Sequence, residues 1–294
     1  MTTSHGALPL HGQTALVTGV SRRRGIGFAV ARAFARLGAS VFIHHYSPHD
    51  EDQPWGADDL SGVVGELRAE LTEGAVLGEM SADLQDTEQI QPLIDAAHAL
   101  TGSLDILVCN QAKSGGDGSI LDMTPAALDA FWDTNTRSTL LLTRAFALLK
   151  TDAPTEATRP GERVRSAGGK EFTKPTGRVF WMTSGQGHGP MRGEVAYATS
   201  KAALAGVTAT VAAELLELGI VLNTVNPGPV DTGYLTPDST DRSLDGIQEL
   251  LDAQPFGRFG EPSDPAQLIS WLATDDGAWI VGQVLTSDGG FYLA

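Results

Sequence analysis

Along most of the chain, short apolar runs alternate with longer stretches in which apolar residues recur every three or four positions. The short runs predict strands at 14–18, 40–44, 75–80, 104–109, 178–183, 220–225 and 283–286. The recurring pattern predicts helices over 28–38, 58–73, 87–100, 125–149, 195–218 and 264–274. Regular alternation of this kind implies right-handed crossovers and a parallel sheet covered by helices on both faces, a doubly wound α/β fold. Ligands in such a fold sit beyond the carboxyl ends of the strands.

Three segments exceed an ordinary connection. Residues 46–57 and 151–176, the second rich in Pro, Gly, Thr and charge, read as surface insertions. Residues 229–262 contain an amphipathic piece, 244–254, and are expected to close over a substrate. No internal repeat breaks the pattern, so the expectation is one catalytic domain over 12–294 behind a flexible tail, 1–11. The tail carries no Lys or Arg and no apolar run of secretory type.

Composition sharpens this picture by exclusion. With 294 residues, 41% of them hydrophobic and 19% charged, the chain can bury a sizeable core. The longest apolar stretches, such as 206–213, are too short to span a bilayer. A net charge of −16 repels nucleic-acid backbones and anionic membranes, so neither is expected as a partner. A single cysteine, Cys109, precludes an internal disulfide and suits a reducing cytosol. His44, His45, His49 and His188 form no ligand pattern with it; they read as loop or surface residues, and no catalytic metal is expected.

Between the first strand and helix, Gly19, Ser21, Gly25, Ile26 and Gly27 belong to a turn whose backbone amides and helix dipole suit a pyrophosphate. In dinucleotide sites an acidic residue at the end of the second strand holds the free ribose hydroxyl of NAD. Here that strand ends in His44, His45 and Tyr46, while Arg22, Arg23 and Arg24 lie in the turn. NADP(H) is therefore favoured over NAD(H), with Arg22, Arg24 and His45 beside the extra phosphate.

Tyr197 and Lys201 are four apart on a predicted helix and so share a face. A nearby ammonium favours the phenolate and adapts tyrosine to proton transfer near neutral pH. Ser184 follows the strand 178–183 on the crevice side, where its hydroxyl can bond a carbonyl oxygen. Proton supply from Tyr197 then neutralises the charge that a hydride transfer builds on that oxygen.

The whole set resembles the short-chain dehydrogenase/reductase family, at the carbonyl-reductase type acting on 3-oxoacyl thioesters. It comprises Thr18-Gly19 with Gly25-Ile26-Gly27, Asp83-Leu84, Asn110, Asn135, Ser184, Tyr197, Lys201, Asn226-Pro227-Gly228 with Thr232, and Asp288-Gly289-Gly290. The resemblance runs from about residue 12 to the end. It implies a Rossmann-type fold, Tyr197 as acid/base, Lys201 lowering its pKa and holding the nicotinamide ribose, Ser184 orienting the carbonyl, and Asn135 holding a relay water. It also implies Asp83 and Leu84 beside the adenine, Asn110 and Ala112 along the cofactor, and Pro227, Gly228, Val230 and Thr232 at its nicotinamide end. A homotetramer, or a dimer, assembled through 125–149, 195–218 and the C-terminal segment is implied as well.

Two departures keep alternatives open. Five residues separate Gly19 from Gly25 where the family commonly has three, a spacing similar to the enoyl-thioester reductase branch. That branch places its tyrosine seven positions before the lysine, and Glu194 stands there in this chain, so carbonyl chemistry is favoured over reduction of a conjugated double bond. The family's Asn-Asn-Ala-Gly reads Asn110-Gln111-Ala112-Lys113, which replaces a glycine by a long cation. A dinucleotide-binding sensor without turnover is the rival from another class. Of the tryptophans, Trp181 and Trp271 are expected to pack, and Trp55 to meet a neighbouring subunit. Substrate selection falls to 114–123, 186–195 and 233–262, whose pattern constrains neither size nor polarity.

Overall fold

The computed structural model describes residues 8–151, 172–240 and 245–293. The expected tail up to residue 7, most of the 151–176 insertion and residues 241–244 of the long loop lie outside the described residues.

Seven parallel strands form one sheet: β1 (Thr14–Val17), β2 (Ser40–His45), β3 (Leu77–Ser81), β4 (Ile106–Cys109), β5 (Gly177–Met182), β6 (Ile220–Asn226) and β7 (Val284–Thr286). Their order is β3-β2-β1-β4-β5-β6-β7, with Val17 level with Ile43 on one side and Val108 on the other. The order reverses between β1 and β4, which is where a doubly wound sheet opens a ligand crevice. The central strands are buried along their whole length, as continuous apolar runs require when helices cover both faces.

Alternation along each strand divides the core. Ile106 and Val108 of β4 point into one apolar layer with α1 (Ile26–Arg36), α3 (Leu60–Ala69) and α9 (Ser263–Ala273). Leu107 and Cys109 point into the other, with α4 (Ile90–Ala99), α6 (Ser138–Leu148) and α7 (Val195–Leu216). Burial pushes the Cys109 thiol up, away from thiolate chemistry.

Several expectations are corrected in detail. Helix α1 begins at Ile26, so two residues assigned to the glycine turn are helical. The single helix expected over 125–149 is three segments: α5 (Pro125–Phe131), a π segment (Trp132–Arg137) and α6. The wider π turn shifts the backbone pattern, and hydroxyls bond back to carbonyls four residues earlier: Ser138 to Thr134, Thr139 to Asn135. Residues 46–57 are no loose excursion, since they contain α2 (Ser47–Glu51) and a buried carboxylate, Asp50. Trp181 packs in the core and donates to Thr143, whereas Trp271 lies on the outer face of α9 at 45% exposure. The amphipathic piece forms α8 (Ile247–Ala253).

Candidate active site

The start of the glycine turn is held from two sides, by Asn110 just after β4 and by His44 of β2. Gly19 has φ +70, and a Cβ there would approach Asn110 Nδ2 to 2.9 Å, which explains the glycine. Asn110 donates from Nδ2 to the carbonyls of Thr18 and Gly19 at 3.0 and 3.1 Å, tying the end of β4 to the end of β1. At Gly27 a Cβ would meet the Gly19 carbonyl at 2.5 Å, so α1 can begin this close to the turn only with glycine.

His44 holds the turn from the β2 side. The Gly19 amide donates to Nδ1 at 3.2 Å, and Nε2 lies 2.8 Å from the Ala82 carbonyl. An N–H donor on one side and a carbonyl on the other assign the proton to Nε2 and leave Nδ1 as acceptor. Burial lowers the ring's pKa to about 4, against a smaller raising effect of the Ala82 bond. The expectation of a loop or surface histidine is therefore wrong: alternation on β2 turns His44 inward, between turn and β3.

The neighbouring His45 points elsewhere. Its Nε2 bonds Glu79 of β3 at 2.7 Å, and it does not line the crevice cavity, contrary to its expected place beside a cofactor phosphate. Successive residues of a strand point to opposite faces, which separates the two histidines.

All three turn arginines are neutralised by carboxylates. Arg22 pairs with Asp50 at 2.9 Å, donates to the Thr232 carbonyl at 2.6 Å and lies over the Trp55 ring. Asp50 also accepts from Ser21 and from Trp55 Nε1. Arg22 thus ties residues 46–57 to the loop after β6, and Trp55 stacks on that arginine and donates to Asp50 within the chain. Arg23 pairs with Glu66 at 2.6 Å, and Arg24 with Asp231 at 2.9 Å.

At the other end of the crevice, Ser184 follows β5, and Tyr197 and Lys201 follow one another round the first turns of α7. Lys201 is fully enclosed; its Nζ donates to the Met182 carbonyl at 3.0 Å and lies 5.8 Å from the Tyr197 ring centre. Burial lowers its pKa to about 8, which leaves it mostly charged at neutral pH. Phe131 meets the Tyr197 ring edge-on at 6.4 Å and fixes its plane. Ser184 Oγ faces Met191 Sδ at 3.8 Å.

Asn135 sits in the π segment, completely buried. Its Oδ1 accepts from the Lys113 amide at 2.7 Å, and its Nδ2 donates to the Lys113 carbonyl and to Ser200 Oγ. It therefore braces the loop after β4 against α7, and its side chain does not line the cavity.

Helix α7 owes its start to a residue that sequence patterning does not reveal. Its N-cap position, Glu194, makes no side-chain cap. Instead Asp117, from the loop after β4, accepts from the amides of Ala196 at 3.1 Å and Tyr197 at 2.7 Å. Asp117→Ala is expected to lower stability by about 1–2 kcal/mol, typical of a lost cap. Urea unfolding would read this as a lower midpoint; an unmoved midpoint would show that the bonds contribute nothing.

One cavity joins these parts. Of the residues singled out from sequence, it is lined by Gly19, Ser21, Arg22, Gly25, Ile26, Asp83, Leu84, Asn110, Ala112, Ser184, Tyr197, Lys201, Pro227, Gly228, Val230 and Thr232. Arg24, Gly27, His45 and Asn135 lie outside the lining. His44, Tyr46, His49, Asp50, Trp55, Gln111, Met191, Glu194 and Tyr234 also line it. Gln111 and Glu194, like Lys113, which also lines the cavity, carry a sequence signal as departures from the family pattern, and His44 and Tyr46 one as the acid-free end of β2. Gln111 is buried, with Nε2 donating to Ser138 and Thr139.

A nicotinamide dinucleotide fits this lining on structural grounds. The 11-residue α1 opens on the cavity with no side-chain cap and no acid in its first turn, whereas α3 is capped by Asp59 and α5 by Thr124. Uncapped amides beside glycines without Cβ atoms suit a pyrophosphate. Among the described residues no cluster of His, Cys, Asp or Glu could hold a metal ion, and no helix is long and apolar enough to cross a membrane.

Comparison with known proteins agrees with this geometry. A family model described as Enoyl-(Acyl carrier protein) reductase matches residues 19–155 and 164–292. The chain is 33% identical over 282 residues to the uncharacterized oxidoreductase YjdA of Bacillus subtilis, covering 94% of this chain and 96% of that one. It is 32% identical over 293 residues to a cyclohexanol dehydrogenase of Rhodococcus sp., covering 96% and 97% respectively. A blue fluorescent protein from a metagenomic library, solved in complex with NADPH, superposes with a TM-score of 0.74 at 27% identity, covering 96% of this chain and 99% of that one.

Proposed function

The chain belongs to the short-chain dehydrogenase/reductase family, oxidoreductases acting on CH–OH or C=O groups with NAD(P), and from that premise we propose its particular reaction. It interconverts a ketone or aldehyde with an alcohol, with NADP(H) as the preferred cofactor and Tyr197 as proton donor and acceptor. The observation that carries this reading is the enclosed Lys201 ammonium over the Tyr197 ring, in one cavity with Ser184 and the glycine turn.

When bound, the dinucleotide supplies the hydride. The chain's own residues do the rest. Ser184 Oγ orients the carbonyl oxygen. Tyr197 gives its phenolic proton to that oxygen as negative charge develops there, and takes it back in alcohol oxidation. Lys201, held by the Met182 carbonyl, stabilises the phenolate left behind. Asn135 and Asp117 keep the loop after β4 and the start of α7 in register, which fixes where the phenol stands.

A preference for NADP(H) is supported by a β2 tip without a carboxylate and by the NADPH complex of a similar fold. Of the arginines expected beside the extra phosphate, Arg22 lines the cavity but is held by the buried Asp50. Arg24 stands outside the lining, with a largely exposed side chain that must turn inward to reach that phosphate. Its pair with Asp231 is exposed, and such pairs are worth about 0–1 kcal/mol, so a phosphate displaces the carboxylate at little cost. Arg24→Ala is expected to narrow the ratio of NADPH to NADH affinity about tenfold. Fluorescence titration with both nucleotides checks it, and an unchanged ratio would remove Arg24 from the assignment.

The description of the matching family model favours a second reading, reduction of a conjugated double bond. Against it stands Glu194, without a phenol, seven residues before Lys201. Parallel assays on ketones and on enones, with product analysis, separate the two by which bond is reduced; reduction of C=C alone would overturn the carbonyl assignment.

Assembly into a homotetramer belongs to the same proposal. Leu121, four residues before α5, at 92% and Trp279, in the C-terminal segment, at 96% exposure leave apolar side chains beside one and within another of the three expected contact segments. Light scattering tests it, a monomer being the contrary result. Cytoplasmic residence is also proposed, in keeping with a single, buried, free cysteine.

A further inference from the structure

Lys113 occupies the position where the family pattern has glycine, and its side chain lines the cavity. Its backbone is fixed: Asn135 accepts from the Lys113 amide at 2.7 Å and donates to its carbonyl at 3.2 Å. The ammonium starts from a braced point and lies 5.6 Å from the centre of the Phe131 ring, the ring that packs edge-on against Tyr197. It stands in the catalytic part of the cavity, not out in bulk solvent.

Its charge is unbalanced. Each turn arginine has a carboxylate partner, and Lys201 has the Met182 carbonyl and the phenol ring. Lys113 Nζ has neither an ion pair nor a hydrogen bond among the described residues, although Asp50, Asp83 and Glu194 line the same cavity. The Phe131 face returns only part of what a half-buried ammonium loses in hydration. A cation left without its counter-charge on a fixed backbone, beside the reacting groups, is the complement of an anionic oxygen group.

Resting on the dehydrogenase reading above, we propose that Lys113 binds an anionic oxygen group inside the cavity, either a carboxylate or phosphate borne by the carbonyl substrate or the pyrophosphate of the cofactor. The chemistry is shared, and the two sources are separable. The variants are Lys113→Met, which keeps length and apolar stem, and Lys113→Arg, which keeps the charge.

Calorimetric binding of 4-acetylbenzoate and of its neutral analogue 4-methylacetophenone to the NADPH-loaded protein reads the substrate source. NADPH titration of the free protein reads the cofactor source, and neither needs turnover. A wild-type preference for the carboxylate that falls about tenfold or more in Lys113→Met and returns in Lys113→Arg supports a substrate anion. A similar fall in NADPH affinity, equally restored by Arg, supports the pyrophosphate. If neither affinity responds to loss of the charge, the proposal is overturned. Turnover of ketones by the wild type is scored separately: its absence would sink the carbonyl assignment and leave the two binding results standing.

Discussion

Tyr197→Phe is expected to lower kcat for carbonyl reduction by about a thousandfold while leaving cofactor affinity within about twofold, the loss being that of a positioned general acid. The ring remains, so its edge-on contact with Phe131 and its place over Lys201 remain, and the buried ammonium keeps its bond to the Met182 carbonyl. What disappears is the phenolic proton that, on the proposed reading, passes to a carbonyl oxygen oriented by Ser184. The effect therefore belongs in kcat and kcat/KM together, the signature of an interaction made in the transition state. Steady-state kinetics on a responsive ketone, beside fluorescence titration with NADPH, checks both halves. Undiminished turnover would remove the phenol from the chemistry and with it the mechanism argued for this crevice.

The residues that carry such predictions differ in how plainly the chain announces them. Tyr197 and Lys201 are visible because four residues on a helix make neighbours, and Ser184 because it follows a buried strand on the crevice side. The glycine turn is visible for the same local reason, and the doubly wound parallel class follows from strand–helix alternation, whereas the strand order does not, since more than one order satisfies that alternation. Asp50, Trp55 and Asp117 are invisible in that sense. Asp50 is an acid among acids in a polar segment until α2 brings it under Arg22. Asp117 caps a helix that begins 78 residues later, a pairing no local pattern encodes. The break in the helix expected over 125–149 is hidden too, because a π segment keeps helical residue preferences and differs by a single inserted residue per turn.

The two histidines at the end of β2 show the opposite failure, where composition was legible and orientation was not. In the sequence they are simply an adjacent pair. The pleat sends His45 to Glu79 and His44 to the glycine turn, so the residue expected at the cofactor is outside the cavity and its neighbour lines it. Burial on both faces of a parallel strand removes the polar–apolar alternation that would have told the two apart.

That inward histidine carries the second large effect: between pH 6.5 and 4 the protein is expected to lose about 3 kcal/mol of stability through His44 alone. The sign follows from which state binds the proton first. An unfolded chain protonates this ring near pH 6.5, whereas the fold holds it neutral down to about 4, chiefly because the ring is buried. Above pH 6.5 both states are neutral and the full stability is present; between the two values the unfolded chain binds more protons, and stability falls as pH falls. Of the charged groups near the ring, Asp83 opposes this lowering and His45 adds to it. His44→Gln removes the titration, so the difference between wild-type and variant unfolding free energies, measured by urea from pH 7.5 to 4.5, should shrink with acidification. Parallel curves would show that His44 does not titrate in that window. The same proton also reaches the site, because a protonated Nδ1 can no longer accept from the Gly19 amide, and the turn that opens the cofactor groove loses its tie to β2. Cofactor affinity should accordingly fall more steeply toward pH 4 in the wild type than in the variant.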